Sequence, residues 1–460
     1  MTDTPALPST AIPPFAAVIL AAGKGTRMKS DRHKVLHPIA GRPMLAHLLA
    51  SVDELGPSAS VVVVGSGRDQ IEAALDGTGI ATALQEPQLG TGHAVQQAEQ
   101  ALAGFDGAVL ILYGDVPLVS ASTMRRMLER LDAADRPAAV VLGFRPADPL
   151  AYGRIVADEQ GVIARMVEFK DATPEERAVT LCNSGLMAVR SVDLWSLLAR
   201  VGNDNAAGEY YLPDIVMLAA ADGRSSAVIE TDPAEVAGIN SRAELAAVEG
   251  EWQARRRLAA MADGATLTAP DTVWFAHDTV VGRDVLIEPN VVFGPGVTVA
   301  DKATIRAFSH IEGATIAGGA EVGPYARLRP GAVIGEKAKV GNFVEVKKAV
   351  LGVGAKVNHL SYIGDAEVGA GANIGAGTIT CNYDGFLKYR TTIGAGAFVG
   401  SNSALVAPVT IGDGAIVAAG SVVTKSVEAD ALAVARGRQE AHPGWAARFR
   451  AKMAARKAGK

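Results

Sequence analysis

A glycine-rich turn, Ala21-Ala22-Gly23-Lys24-Gly25-Thr26-Arg27-Met28, follows the apolar run AAVILA. Such a turn at the end of a strand aims backbone N–H groups at an anion, and Lys24, Arg27 and Lys29 add positive charge. Two familiar phosphate loops are excluded. Walker A needs Gly directly before Lys-Ser, where Met28 stands, and Met28 also occupies the third glycine of the dinucleotide fingerprint. Taken alone, the turn reads equally well as a tight turn without a ligand. Asp115 ends the hydrophobic run VLILYGD and offers a hard oxygen suited to Mg²⁺, although Asp is also common at strand-terminal turns. Much later, NHLSYIGD places His359 and Tyr362 close together, with Arg329 and Lys347 nearby in sequence. Histidine titrates near neutrality and can take a proton from an attacking nucleophile, whereas an isolated His is more often structural.

The elements that must carry these residues fall into two patterns. From Phe15 to about Ala220, β-branched runs (AAVILA, SVVVVG, AVLILYGD, AAVVLGF) alternate with Ala/Leu-rich stretches such as PMLAHLLASVDEL and ASTMRRMLERLDAA. That alternation predicts an α/β domain with a largely parallel sheet and ligands at the carboxyl ends of its strands. The segment from Ser241 to about residue 263 predicts a linker helix, with Ser241 as N-cap and Glu244 completing a capping box.

Beyond it an aliphatic residue recurs every six positions, as at Val281, Ile287, Phe293, Val299, Ile305 and Ile311. The beat resumes after a five-residue step at Ile316 and continues through Val322, Leu328, Ile334, Val340 and Val346. Neither the helical period nor strand alternation produces this spacing, but a triangular coil with one short strand per face does. The pattern is that of a parallel β-helix. Its longest failure lies between Ile374 and Ile393, where GAGTITCNYDG interrupts the beat and a functional loop is expected to leave the coil.

Bulk properties set the class. A chain of 460 residues exceeds one core, and 49% hydrophobic with 20% charged residues describes a soluble globular protein. A net charge of −5 gives no global attraction to nucleic acid or to an anionic membrane, and no apolar run reaches membrane-spanning length. Cys182 and Cys381 are too few and too distant for a disulfide framework or a zinc cluster, so a reducing cytoplasm is expected. The expected division is a disordered leader over 1–14 that is not a signal peptide, an α/β domain over 15–241, a linker helix over 242–263, a β-helix over 264–440 and a solvated, mobile basic tail over 441–460.

LAAGKGTRM, Lys34-Val35-Leu36-His37, the stretch from Gln85 to Ala94 and Leu112–Leu118 together resemble the sugar-1-phosphate nucleotidyltransferases. Tyr152–Ile155, Val167–Ala172, Asn183–Gly185, Gly208–Tyr211 and Gly238–Asn240 follow in the order that family shows. NHLSYIGDAEVG and IGAGTITCNYDG further resemble the bifunctional N-acetylglucosamine-1-phosphate uridyltransferase/glucosamine-1-phosphate acetyltransferases, a likeness covering nearly all of residues 15–440. The resemblance implies a Rossmann-like nucleotidyltransferase domain followed by a left-handed hexapeptide-repeat β-helix, in a cytoplasmic homotrimer whose acetylation cleft lies between neighbouring coils.

It also implies two reactions, acetyl transfer from acetyl-coenzyme A to glucosamine 1-phosphate and then uridylyl transfer from UTP with Mg²⁺. The product, UDP-N-acetylglucosamine, feeds bacterial cell-wall and outer-envelope sugars. By the same resemblance Leu20, Ala21, Ala22 and Gly23 belong to the nucleotide site, Arg27 and Lys34 hold the triphosphate, and Asp115 and Asn240 share the metal. Gln85, Gly90 and Thr91 read the uracil, while Gly153, Glu168 and Asn183 hold the sugar. In the repeat domain His359 is the general base, Arg329 and Lys347 grip the sugar phosphate, and Tyr362 and Asn373 hold the sugar. Ala376, Asn382, Tyr383, Ser401, Ala419 and Arg436 line the acetyl-coenzyme A site.

Two competitors share these domain types. One is a nucleotidyltransferase whose β-helix serves only assembly or regulation, as in ADP-glucose pyrophosphorylases. The other is an exchange-factor subunit of translation initiation. His359 with the Asn382-Tyr383 loop argues against the first, and the intact glycine turn, Lys34 and Asp115 argue against the second.

Overall fold

The computed structural model describes residues 12–149 and 151–459. The expected leader lies outside the described residues as far as residue 11. Two compact units divide the chain, one ending at Arg255 and the other beginning at Arg256. The helix Arg242–Ala262 runs across that boundary, and its N-cap is Ser241, whose Oγ accepts from Glu244 N at 3.3 Å. The Glu244 carboxylate reaches one residue further back than the usual capping box, accepting from Asn240 N at 2.7 Å.

The first unit is built on a mixed sheet. Its strands run in the order Ala227–Thr231, Ala139–Phe144, Cys182–Arg190, Ala108–Tyr113, Phe15–Leu20, Ala59–Val64 and Ala81–Leu84. Only Cys182–Arg190 along this path is antiparallel to its neighbours, so the expected largely parallel sheet is what forms. The reason lies in the residues. Phe15–Leu20 is buried at all six positions, as a strand covered on both faces must be. Ala16, Val18 and Leu20 enter one core layer while Phe15, Ala17 and Ile19 enter the other. The helix Ala121–Leu131, capped where Thr123 N donates to Ser120 Oγ, packs Met124, Met127 and Leu128 into the second layer.

Chain order reverses between Phe15–Leu20 and Ala108–Tyr113, which lie side by side although two other strands of this sheet separate them in sequence. This is a topological switch point, where the loops after neighbouring strands diverge and leave a crevice at their carboxyl ends. The glycine turn and Asp115 both emerge there.

The second unit is a coil of short parallel strands. Register partners on one face advance by a full turn, Leu286 pairing with Thr304, Thr304 with Glu321 and Glu321 with Lys339. The beat residues point inward: Ile305, Ile311, Ile316, Leu328 and Ile334 are fully buried. A second inward position escaped the sequence reading. It lies two residues before each beat and is filled by small side chains, including Ala303, Ala326, Ala332, Ala338 and Ala355. Strand alternation explains it, because residues i and i−2 share a face and only a small one fits beside the large one in a narrow prism. The turn containing the interruption is longer, with Asn373 pairing with Phe398, and the extra residues form a loop around Asp384. Asp384 Oδ1 accepts from Phe386 N at 2.8 Å and Leu387 N at 2.7 Å.

The chain ends in a basic segment that folds as a helix, Trp445–Ala458, with no buried residue. Helix formers such as Ala, Arg and Lys dominate it, which accounts for a helix where the charge run alone suggested only a solvated tail.

Candidate active sites

In the first unit the backbone sets the crevice walls before any side chain is considered. Ala21 N donates to Val63 O at 2.8 Å and Gly114 N to Leu20 O at 2.9 Å, so the glycine turn and the Asp115 loop continue the sheet's pairing. Gly25 adopts φ +58°, and a Cβ there would lie 2.6 Å from Lys34 Cβ; glycine is what lets the turn close over Lys34. Gly23 differs. A Cβ on it would meet nothing within 4 Å, so its bare backbone faces open space in the crevice and is not demanded by packing. The resulting cavity measures about 330 Å³.

Leu20, Ala21, Ala22, Gly23, Lys34, Gln85, Gly90, Thr91 and Asp115 all line that cavity. Lys34 Nζ donates to Asp115 Oδ2 at 2.5 Å and to Asn240 Oδ1 at 3.1 Å. The two oxygens therefore converge on a single cation. Ile239 N donates to Asp115 O at 3.0 Å, which fastens the Asn240 loop to the Asp115 loop through the backbone. Among the described residues no cluster of three or more His, Cys, Asp or Glu could hold a metal. One carboxylate plus one amide oxygen is nevertheless a donor set that fits Mg²⁺, which keeps several waters and takes its remaining oxygens from phosphates.

Around the loop from Gln85 to Thr91 the contacts are tight. Gln85 is buried, and its Nε2 donates to Gly90 O at 2.9 Å and lies 3.2 Å from His93 Nδ1. Gly90 has φ +116°, and a Cβ there would lie 2.6 Å from Tyr210 O. Tyr210 N donates to Leu89 O, Gly92 N to Tyr210 O, and Leu212 N to Thr91 Oγ1 at 3.0 Å, so the GEYY segment braces this loop. Of the five further residues that line the cavity, three are polar and were given no role from sequence: Gln88, Tyr113 and Glu209. Gln88 Nε2 donates to Ala22 O and so pins the glycine turn to the loop that holds Gln85 and Gly90. Burial, reinforced by the Asp115 charge, pushes the Tyr113 phenol well above its usual range and keeps it a neutral donor. Tyr113 was legible as the residue before Gly114-Asp115; Gln88 already lay inside the motif.

Gly153, Glu168 and Asn183 form a separate cluster. A Cβ on Gly153 would lie 3.2 Å from Glu168 Oε1, and Asn183 N donates to Gly153 O at 2.9 Å. Gly185 N in turn donates to Asn183 Oδ1 at 2.9 Å and orients that amide. Burial pushes the Glu168 carboxyl up, and the carboxylates of Asp214, Asp171 and Glu209 push it further. Arg27 is exposed and is not among the residues that line the cavity.

In the second unit the coil stacks the expected residues on successive turns. Arg329 N donates to Val346 O at 2.9 Å, and Lys347 pairs in register with Gly364, which puts Arg329 and Lys347 on adjacent coils. Arg329 Nη1 donates to Glu345 Oε1 at 2.7 Å, and Glu345 is the register partner of Tyr362. The Tyr362 hydroxyl lies over Gly364, where a Cβ would collide with it. Asn382 Nδ2 donates to Asp365 Oδ2 at 2.5 Å and lies 3.5 Å from the Tyr362 hydroxyl, drawing the interrupting loop onto this face. That loop also carries Lys388, which sequence reasoning missed. Closeness to Lys388 pulls the Lys347 ammonium below its ordinary range, with Arg329 adding to the effect. Three cations thus crowd one spot, as a polyanion would require.

From His359 a second column descends the corner of the coil. Gly377 N donates to His359 O at 3.2 Å, Asn402 N to Ala376 O at 2.7 Å and Gly420 N to Ser401 O at 2.8 Å. Arg436 Nη1 closes it, donating to Ala419 O at 2.8 Å. His359, Ala376, Ser401, Ala419 and Arg436, scattered over the sequence, are therefore consecutive steps of one ridge. Tyr383 is exposed beside Asn382. Asn373 is the exception. Its register partners are Lys356 and Phe398, on a different face from Arg329, Lys347 and Tyr362.

Residues 17–170 match the MobA-like NTP transferase domain family, and residues 278–313 and 390–425 match the bacterial transferase hexapeptide family of six repeats. Over nearly its whole length the chain is similar to curated proteins. The Bifunctional protein GlmU of Sphingopyxis alaskensis is 71% identical over 445 residues, 97% of this chain and 98% of that protein. The protein of the same name from Rhizorhabdus wittichii is 73% identical over 447 residues, 97% of this chain and 99% of the relative. That from Zymomonas mobilis is 60% identical over 443 residues, 96% of this chain and 98% of the relative. Relatives named bifunctional, which match the chain through both units, speak against the reading with a purely structural β-helix. A nucleotidyltransferase unit with a complete crevice, joined to a hexapeptide coil with its own ridge of polar residues, thus belongs to the family of the bifunctional protein GlmU.

Proposed function

We propose that the chain makes UDP-N-acetylglucosamine in two steps. The second unit moves an acetyl group from acetyl-coenzyme A to glucosamine 1-phosphate, and the first joins the product to UTP. The observation that carries this reading is the ridge from His359 to Arg436 lying beside the Arg329–Lys347–Lys388 cluster, because a thioester donor and a sugar phosphate must meet at one base. In the acetyl step the amine nitrogen bonds to the thioester carbonyl carbon while His359 takes its proton. The C–S bond then breaks, and the imidazolium returns the proton to the departing thiolate. Arg329, Lys347 and Lys388 hold the phosphate, Tyr362 and Asn373 the sugar, and Ala376, Asn382, Tyr383, Ser401, Ala419 and Arg436 the coenzyme.

In the uridylyl step a phosphate oxygen of N-acetylglucosamine 1-phosphate attacks the α-phosphorus of UTP, and pyrophosphate leaves. No general base is needed, since the nucleophile is already ionised. Lys34 and the glycine turn neutralise and position the triphosphate. Gln85, Gly90 and Thr91 orient the uracil, and Gly153, Glu168 and Asn183 the sugar. Mg²⁺ would sit on Asp115 and Asn240 and supply charge neutralisation of the phosphates when bound.

A homotrimer is supported by one corner of the coil. Phe308, Tyr325, Phe343 and Leu360 stand there on successive turns, each about half exposed or more and each at positive φ. Bulky residues rarely adopt that backbone, and their rings stack with centroids 4.9 and 5.2 Å apart, so a solvent-facing ladder needs a covering partner. A neighbouring copy also accounts for Asn373, which would serve the site of the next subunit. No described helix is long and apolar enough to cross a membrane, and the free cysteines fit a reducing cytoplasm.

The test is one assay with glucosamine 1-phosphate, acetyl-coenzyme A, UTP and Mg²⁺. Free thiol should appear first and pyrophosphate only after it; pyrophosphate release that ignores acetyl-coenzyme A would overturn the two-step reading.

A further inference from the structure

We propose that Asn342 is a positioning residue for acetyl transfer, holding His359 in the one tautomer that can act as a base. His359 Nδ1 lies 2.7 Å from Asn342 Oδ1. An amide oxygen only accepts, so Nδ1–H is the donor and the lone pair of the neutral ring is left on Nε2. His359 is exposed, and no second partner of its ring is formed among the described residues.

The backbone prepares this contact on both sides. Asn342 and His359 are register partners on adjacent coils, and Leu360 N donates to Asn342 O at 3.0 Å. The His359 carbonyl is held by Ser361 Oγ at 2.8 Å and by Gly377 N at 3.2 Å. Gly341 makes the approach possible, because any Cβ there would overlap the Asn358 carbonyl. The amide is neutral, which distinguishes it from the carboxylates that orient histidine in many hydrolases. A carboxylate here would repel the sugar phosphate and the coenzyme phosphates gathered by Lys347, Lys388 and Arg436. An amide fixes the same tautomer without that charge.

This inference rests on His359 being the base, so the experiment separates the two. In the full-length protein, H359A should lose thiol release while keeping pyrophosphate release from UTP and N-acetylglucosamine 1-phosphate. Retained acetylation in H359A would remove the base itself. N342A should lower kcat for acetyl transfer by roughly tenfold or more, with KM for both substrates and uridylyl transfer little changed. N342D keeps an acceptor facing Nδ1. At saturating substrate it should recover more of kcat than N342A, with KM raised by the added charge, and move the acidic limb of its pH profile upward, since a carboxylate favours the imidazolium. A folded N342A with kcat within about twofold of the parent would overturn the proposal. So would an N342D that is no better than N342A and leaves the profile unmoved.

Discussion

Lys34 Nζ lies 2.5 Å from Asp115 Oδ2, and the same ammonium reaches Asn240 Oδ1 at 3.1 Å. Two oxygen donors from loops 125 positions apart in the chain are thereby focused on one positive charge. A divalent cation and a lysine are alternatives for such a pair, and a triphosphate arriving with its metal would draw the lysine towards phosphate. D115A should therefore cut pyrophosphate release by about a hundredfold or more while thiol release continues. N240A should leave the reaction possible but raise the Mg²⁺ needed for half-maximal rate by about tenfold. A magnesium titration followed by pyrophosphate release checks both, and an unchanged requirement in N240A would remove that amide from the metal site.

Lys388 reaches Lys347 from the interrupting loop, in the cluster proposed to hold the sugar phosphate. K388M should raise KM for glucosamine 1-phosphate by about tenfold with a smaller change in kcat, because the interaction serves phosphate in ground and transition states alike. Initial-rate measurements over sugar phosphate concentration decide the point. A fall in kcat at constant KM would assign Lys388 to the chemistry instead.

Glu168 is half-buried and faces Asp214, Asp171 and Glu209, and its proton is bound more tightly than in the unfolded chain. The folded state therefore carries more protons than the unfolded state between the two pKa values. Stability from this group falls as pH rises through that window. E168Q removes the ionisation and should raise the melting temperature more at pH 8 than at pH 5, while weakening sugar binding. Equal shifts at both pH values would show that shape, not charge, dominates at this position.

The coil's inward beat makes the sharpest stability contrast. Ile334 is fully buried, whereas Val333 beside it is 40% exposed. I334A should cost about 2–5 kcal/mol and V333A about 0.5 kcal/mol or less. Denaturant unfolding of the two variants measures the difference. Similar losses would mean that Val333 is covered by another chain, which itself would bear on the trimer.

Local patterns were legible because they depend on spacing alone. The six-residue beat follows from one buried side chain per face, and Phe15–Leu20 reads as a doubly covered strand because every position is apolar. Ser241 was found as an N-cap because capping is a four-residue affair. The partner of Glu244 was misjudged by one residue, since the choice between Asn240 N and Ser241 N is set by how the preceding loop is fastened to Asp115.

Motif order carried the family and most of the cavity, down to Lys34, Gln85, Thr91 and Asp115. What sequence could not supply was adjacency. Asn342 and Lys388 carry no distinctive local signal, and each acquires its role only when the coil stacks residues about seventeen apart, or one loop folds back, to meet His359 or Lys347. Arg27 shows the converse, a motif residue that the fold leaves exposed. The sequence by itself determined which elements form and which chemistry they can carry, because periodicity and side-chain type are local properties. Only the tertiary structure decided which side chains share a ridge, a cation or a tautomer, because hydrogen bonds act over about 3 Å and depend on register, not on distance along the chain.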